Sequence, residues 1–149
     1  MKTLRWAAAL GILALTACGR HGDPVKESLD AMVKAANDRD VDALFGHVSP
    51  SFQGADGSGL ADARAIVQRM FAAYEILNVT LGDVRVERGE GAARVRLRAQ
   101  MSGQPRKVGG LGGLVPSSAA YDFDLRLNRE GDAWKVAWAQ WNPAGASAP

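Results

Sequence analysis

Few side chains in this sequence could do chemistry. Cys18 is the lone cysteine. Its thiolate is a nucleophile toward an electrophilic donor, and with no second cysteine no intrachain disulfide can form. The two histidines, His21 and His47, stand far apart in sequence and have no cysteine cluster beside them, so no metal-ligand spacing is present. Asp122 and Asp124 alternate with apolar residues, as do Arg94, Arg96 and Arg98. That pattern puts the charges on one strand face rather than inside a site. Tyr74 falls on an apolar helical spacing, so its hydroxyl is an inward donor. No interior carboxylate accompanies it, and no catalytic residue is assigned. The segment Gly109-Gly110-Leu111-Gly112-Gly113-Leu114-Val115-Pro116 lacks the GxGxxG pattern and a following helix. Lys107 before it does not make a phosphate loop, and no cofactor is expected.

The setting of Cys18 is informative. Lys2 and Arg5 are followed by an uncharged, Ala- and Leu-rich run from Trp6 to Leu15. This is the layout of a secretory signal, and at about 10 residues it is too short for a bilayer span of roughly 20. Leu15-Thr16-Ala17-Cys18 resembles the lipobox of bacterial lipoproteins. The resemblance implies a signal peptide over residues 1–17, diacylglycerol on the Cys18 sulfur, acylation of the new amino group, and a short tether over 18–22 that contains His21. Two or three acyl chains anchor firmly. Gly19 is not the aspartate that retains many such proteins in the inner membrane, so the expected place is the outer membrane, facing the periplasm.

Removing Lys2 and Arg5 leaves 16 basic residues against 16 acidic. A balanced, exported domain has no electrostatic footprint for nucleic acid. About 130 residues remain, enough for one core. Residues 143–149 have no apolar period and form a loose tail.

Three helices come first. Asp23 caps the first, Pro24 opens it, and Val25, Leu29, Met32, Val33 and Ala36 make its apolar face. Asp40 caps a shorter helix with Val41, Leu44 and Phe45 inward, stopped at Ser49-Pro50. Phe52 sits on a short extended piece. The third helix is expected from Leu60 to Leu77, with Ala63, Ile66, Val67, Met70, Phe71, Tyr74 and Leu77 on one side and Arg64 away from it. Period two then takes over. Val79 and Leu81, then Val84 and Val86, flank a bulge at Gly82-Asp83. Gly89-Glu90-Gly91 is a turn, and Val95, Leu97, Ala99 and Met101 alternate with charge. A glycine-rich loop spans about 102–118, either as a plain connector or as a mobile lid or partner hook with Leu111, Leu114 and Val115 as its apolar residues. Tyr121, Phe123, Leu125 and Leu127 alternate again, and Ala133 to Trp141 is the last strand. The class is α+β, with three N-terminal helices packed on a strongly curved antiparallel sheet of four or more strands.

This order, with Asp42-Ala43-Leu44-Phe45, Pro50 and Phe52 before the sheet and Gly131-Asp132-Ala133-Trp134-Lys135-Val136 at its close, resembles the nuclear transport factor 2-like superfamily over residues 23–142. The resemblance implies a cone-like fold with an inner pocket and a convex face that often dimerises. It also includes ketosteroid isomerases and polyketide cyclases, so fold alone does not give function. Within that frame, Phe45, Phe52, Met70, Phe71, Tyr74, Phe123 and Trp141 either fill the cone as core or line a pocket, and His47 lies near its mouth.

The charged face carries a second expectation. Arg98 is set opposite Asp122 and Arg96 opposite Asp124, with Trp134 and Trp138 on the same face and Arg126 stacked on Trp138. It is either a self-paired ladder in water or a surface for a homodimer or an envelope protein partner. Together these readings point to a membrane-anchored, non-enzymatic binder of a small apolar ligand or a protein partner. An assembly module is the alternative, and an isomerase-like or cyclase-like enzyme the third.

Overall fold

The computed structural model describes residues 22–106 and 115–145. Helix α1 spans Pro24–Asn37. The Asp23 carboxylate accepts from the Val25 amide at 2.9 Å, which satisfies one of the free N–H groups of the first turn. Asp23 also pairs with Arg88, whose guanidinium lies 5.8 Å from the centre of the Trp134 ring. The start of α1 is thereby tied to the sheet. Its far end is tied too. The Asn37 side chain donates to the Val79 carbonyl at 3.1 Å and accepts from the Val79 amide at 2.6 Å. Helix α2 is short, Val41–Phe45, and is capped by Asp40, which accepts from the Ala43 amide at 2.9 Å. Helix α3 spans Leu60–Ala73.

Five strands follow the order β1-β5-β4-β3-β2 across one sheet. Their ranges are β1 Val48–Gly54, β2 Tyr74–Arg88, β3 Ala92–Pro105, β4 Ser118–Glu130 and β5 Ala133–Pro143. β2 to β5 form an antiparallel meander. The expectation of a wholly antiparallel sheet is corrected by β1, which pairs parallel to β5. β1 is an edge strand, a place where Pro50 is tolerated because one side needs no ladder donor. β3 also runs past the expected strand end to Pro105. At Gly103 it approaches β2 so closely that a Cβ would collide with the Ile76 carbonyl.

The third helix ends earlier than expected. Tyr74 has extended backbone angles and opens β2, so the stretch from Tyr74 to Leu77 is strand, not helix. Ile66, placed inward by helical spacing, is 38% exposed. The bulge at Gly82-Asp83 is present. The β2–β3 register slips between Gly82 and Arg85, and Asp83 adopts a positive φ of 52°. The slip leaves Val84 partly exposed rather than inward. A second bulge, unseen in the sequence, lies in β5. Arg126 faces Trp138 while Leu127 faces Val136, so Ala137 is the extra residue.

The main core joins the α1 residues Val25 and Leu29 to the inner sheet positions Val95, Leu97, Leu125, Leu127, Trp134 and Val136. A second cluster holds Phe71, Tyr74, Leu77 and Val79 where α3 passes into β2.

Candidate functional site

Between the helices and the inner sheet face lies a cavity of about 230 Å³. Its floor is the sheet, with Leu97, Ala99, Leu125 and Ala139, and its walls come from Met32, Val33, Leu44, Val67 and Met70 on the helices. Among the described residues every lining side chain is apolar in type, and none titrates in the physiological range. Six residues named from the sequence, Phe45, Phe52, Met70, Phe71, Phe123 and Trp141, line it, and the Phe123 and Trp141 rings stand 6.3 Å apart. Tyr74 does not. It is buried in the second cluster, where its hydroxyl donates to the Pro116 carbonyl at 2.7 Å. Burial pushes its pKa up.

The sequence reading missed why there is space. Ala63, Ala99 and Ala139 occupy inward positions among Leu, Phe and Trp. Small residues on three facing elements leave a void that larger ones would fill. The available signal was alanine at positions whose periodicity demands burial.

His47 is half-buried at the start of β1. Its Nδ1 lies 3.4 Å from the Ser28 hydroxyl, which donates to the Trp134 carbonyl at 2.9 Å. His47 adjoins one edge of the sheet and Tyr74 begins the strand at the other, so the two are not brought together. Among the described residues no group of three His, Cys, Asp or Glu side chains could hold a metal ion, and no helix is long and apolar enough to cross a membrane.

On the outer face Arg96 sits opposite Asp124 and Arg98 opposite Asp122, the register the alternation predicts. The ion pairs are partly diagonal. Arg98 holds Asp122 with Nε at 2.7 Å, but Asp124 is held by Arg94 at 2.9 and 2.5 Å, and Arg96 turns to Glu87 at 2.8 Å. Hydrogen bonds from the two arginines lower the pKa of Asp122 and Asp124. The Arg126 guanidinium stacks 4.6 Å from the Trp138 ring centre. Trp134 does not share this face. It is 7% exposed and belongs to the main core. The Ala137 bulge inverts the parity between Trp134 and Trp138, which simple alternation had set side by side.

Cys18, its preceding residues Leu15, Thr16 and Ala17, and His21 lie outside the described residues, as do positions 107–114 and 146–149.

No family model matches the chain, and no curated protein matches it in sequence. Solved structures do match. A candidate dehydratase of the NTF2-like family from Streptomyces avermitilis superposes with a TM-score of 0.68 at 17% identity, over 83% of this chain and 96% of that one. A candidate scytalone dehydratase from Novosphingobium aromaticivorans gives 0.67 at 9% identity, over 81% and 82%. Bd1075 of Bdellovibrio bacteriovorus gives 0.65 at 13% identity over 80% of this chain, which spans only 40% of that protein. At these identities the likeness is one of backbone, and it coincides with helices laid over a curved five-stranded sheet: this chain has the NTF2-like fold.

Proposed function

We propose that the chain is a membrane-anchored periplasmic lipoprotein, lipidated on Cys18, whose cone binds a small apolar molecule without transforming it. The observation that carries the binding reading is the cavity itself, about 230 Å³ of space walled by apolar side chains. Apolar cavities of comparable size bind hydrocarbon. The anchor rests on Leu15-Thr16-Ala17-Cys18 and the short apolar run before it. Dehydratase names among the structural neighbours carry over only as fold. Acid–base catalysis needs a titratable group within reach of the substrate, and the lining among the described residues supplies none.

Native mass spectrometry of the mature chain extracted from its host envelope tests both halves. A diacylglycerol mass on Cys18 and a second small mass that leaves on activation are the expected result. An unmodified, empty monomer overturns the reading.

A second reading, assembly through the outer sheet face, is favoured by the stack of Arg126 on Trp138. It requires Trp138→Ala to weaken self-association in ultracentrifugation while the fold is kept.

A further inference from the structure

The cavity has a rim as well as an interior. Its floor residues Leu97, Ala99 and Leu125 are buried, whereas Met32, Val67 and Met70 on the helices, like Phe123 and Trp141 on the sheet, are half-buried, so it is open to solvent. A cation stands beside one of the half-buried lining residues. The Arg64 guanidinium lies over the half-buried ring of Phe45, 5.5 Å from its centre, and Phe45 lines the cavity. Arg64 also follows Ala63 and precedes Val67 on α3, both of which line it. Its counterion is Asp42 of α2, whose side chain is 86% exposed.

We infer that the site takes a medium-chain carboxylate, with its hydrocarbon tail in the cavity and its carboxylate on Arg64. This rests on the apolar-pocket reading and names the ligand class for it. Size sets the tail. A cavity of about 150 Å³ holds benzene, so by the same ratio about 230 Å³ holds roughly 9 carbon atoms. The lining sets where the tail must stop, because a polar group drawn inside would lose its hydrogen bonds to water and find no partner. Charge sets the head group. Arg64 presents a planar fork suited to a carboxylate. Its bond to Asp42 is an exposed ion pair of the kind that contributes little. A ligand that also buries a tail therefore replaces Asp42 on the guanidinium.

The test uses the full chain in lipid nanodiscs, with empty discs as the reference, titrated with ¹³C-labelled octanoate and octan-1-ol by NMR. Octanoate is expected to bind at least about tenfold more tightly than octan-1-ol, as a charge-assisted hydrogen bond allows. Arg64→Gln should remove that preference and leave octan-1-ol binding unchanged. Asp42→Asn, which frees Arg64, should widen it several-fold. Equal binding of the two probes, or a preference that survives Arg64→Gln, overturns the carboxylate inference and leaves the pocket reading standing. No binding of either probe, with Val67→Phe changing nothing, overturns both.

Discussion

Strands β3 and β4 present two surfaces made from alternate residues of the same backbone. On the inner surface Val95, Leu97, Leu125 and Leu127 are buried to 7% exposure or less, and Leu127 is fully enclosed. On the outer surface Arg94, Arg96, Arg98, Asp122 and Asp124 form ion pairs in contact with water. The inner contacts are non-directional and scale with the area removed from solvent. The outer ones are directional, screened and individually weak. Stability therefore resides on the inner surface, although the outer surface has the better-defined bonds. The inner surface is also where packing is left incomplete, and an unfilled space in the stabilising region is a feature that ligand binding can use.

The two tryptophans of β5 give the strongest way to break this contrast. Trp134 is in the core and Trp138 is on the outer face four residues later. Trp134→Ala is expected to lower unfolding free energy by about 3–5 kcal/mol, read from urea denaturation. A loss below about 1 kcal/mol would mean that the inner surface does not carry the fold. Next in size is Asn37→Ala, which strips both partners from the Val79 backbone at the edge of β2. About 1–2 kcal/mol should be lost, with faster amide exchange at Val79. Trp138→Ala removes the half-buried ring on which Arg126 stacks, outside the core, so a smaller loss of about 0.5–1 kcal/mol is expected in the same urea assay.

The smallest effect is that of acid on the outer ladder. The folded-state pKa values of Asp122 and Asp124 lie below the ordinary aspartate value, because arginines donate to the charged form. Their contribution is thus complete above about pH 4 and fades as pH falls through the lowered folded values. Carboxyl chemical shifts should titrate below the usual aspartate range, and Arg98→Gln should return Asp122 toward it. An Asp122 that titrates normally in the unaltered protein would remove the ladder from the account.

The alternation on β3 and β4 was legible because each strand keeps one parity for most of its length. Charged and apolar residues fall on opposite faces, and the register of Arg98 with Asp122 follows. β5 was not legible in the same way. Trp134 and Trp138 share a parity in sequence, and only the extra Ala137 separates them in space, with no glycine or proline to announce it. The end of α3 was hidden for a related reason. Met70, Phe71, Tyr74 and Leu77 fit a helical stripe, yet Tyr74 and Leu77 are equally buried in the strand that begins at Tyr74. No breaker separates the two elements. The parallel pairing of β1 depends on contacts distant in sequence, which local pattern does not encode. As for the site, its aromatic lining was readable from burial patterns, while its volume was not. That volume comes from alanines on α3, β3 and β5 that meet only once the chain is folded.

The hold of Asn37 on Val79 bears on how this protein behaves in a crowd of its own copies. β2 is a long strand at the margin of the sheet, and a bare margin invites another chain to add itself as the next strand. At Val79 both backbone groups that face outward are already engaged by a side-chain amide that imitates a neighbouring strand. Further along, Asp83 turns the strand with a positive φ. An incoming chain would find its first bonds taken and its path bent. If lipid concentrates many copies on one membrane, these two features oppose the growth of continuous sheets between them.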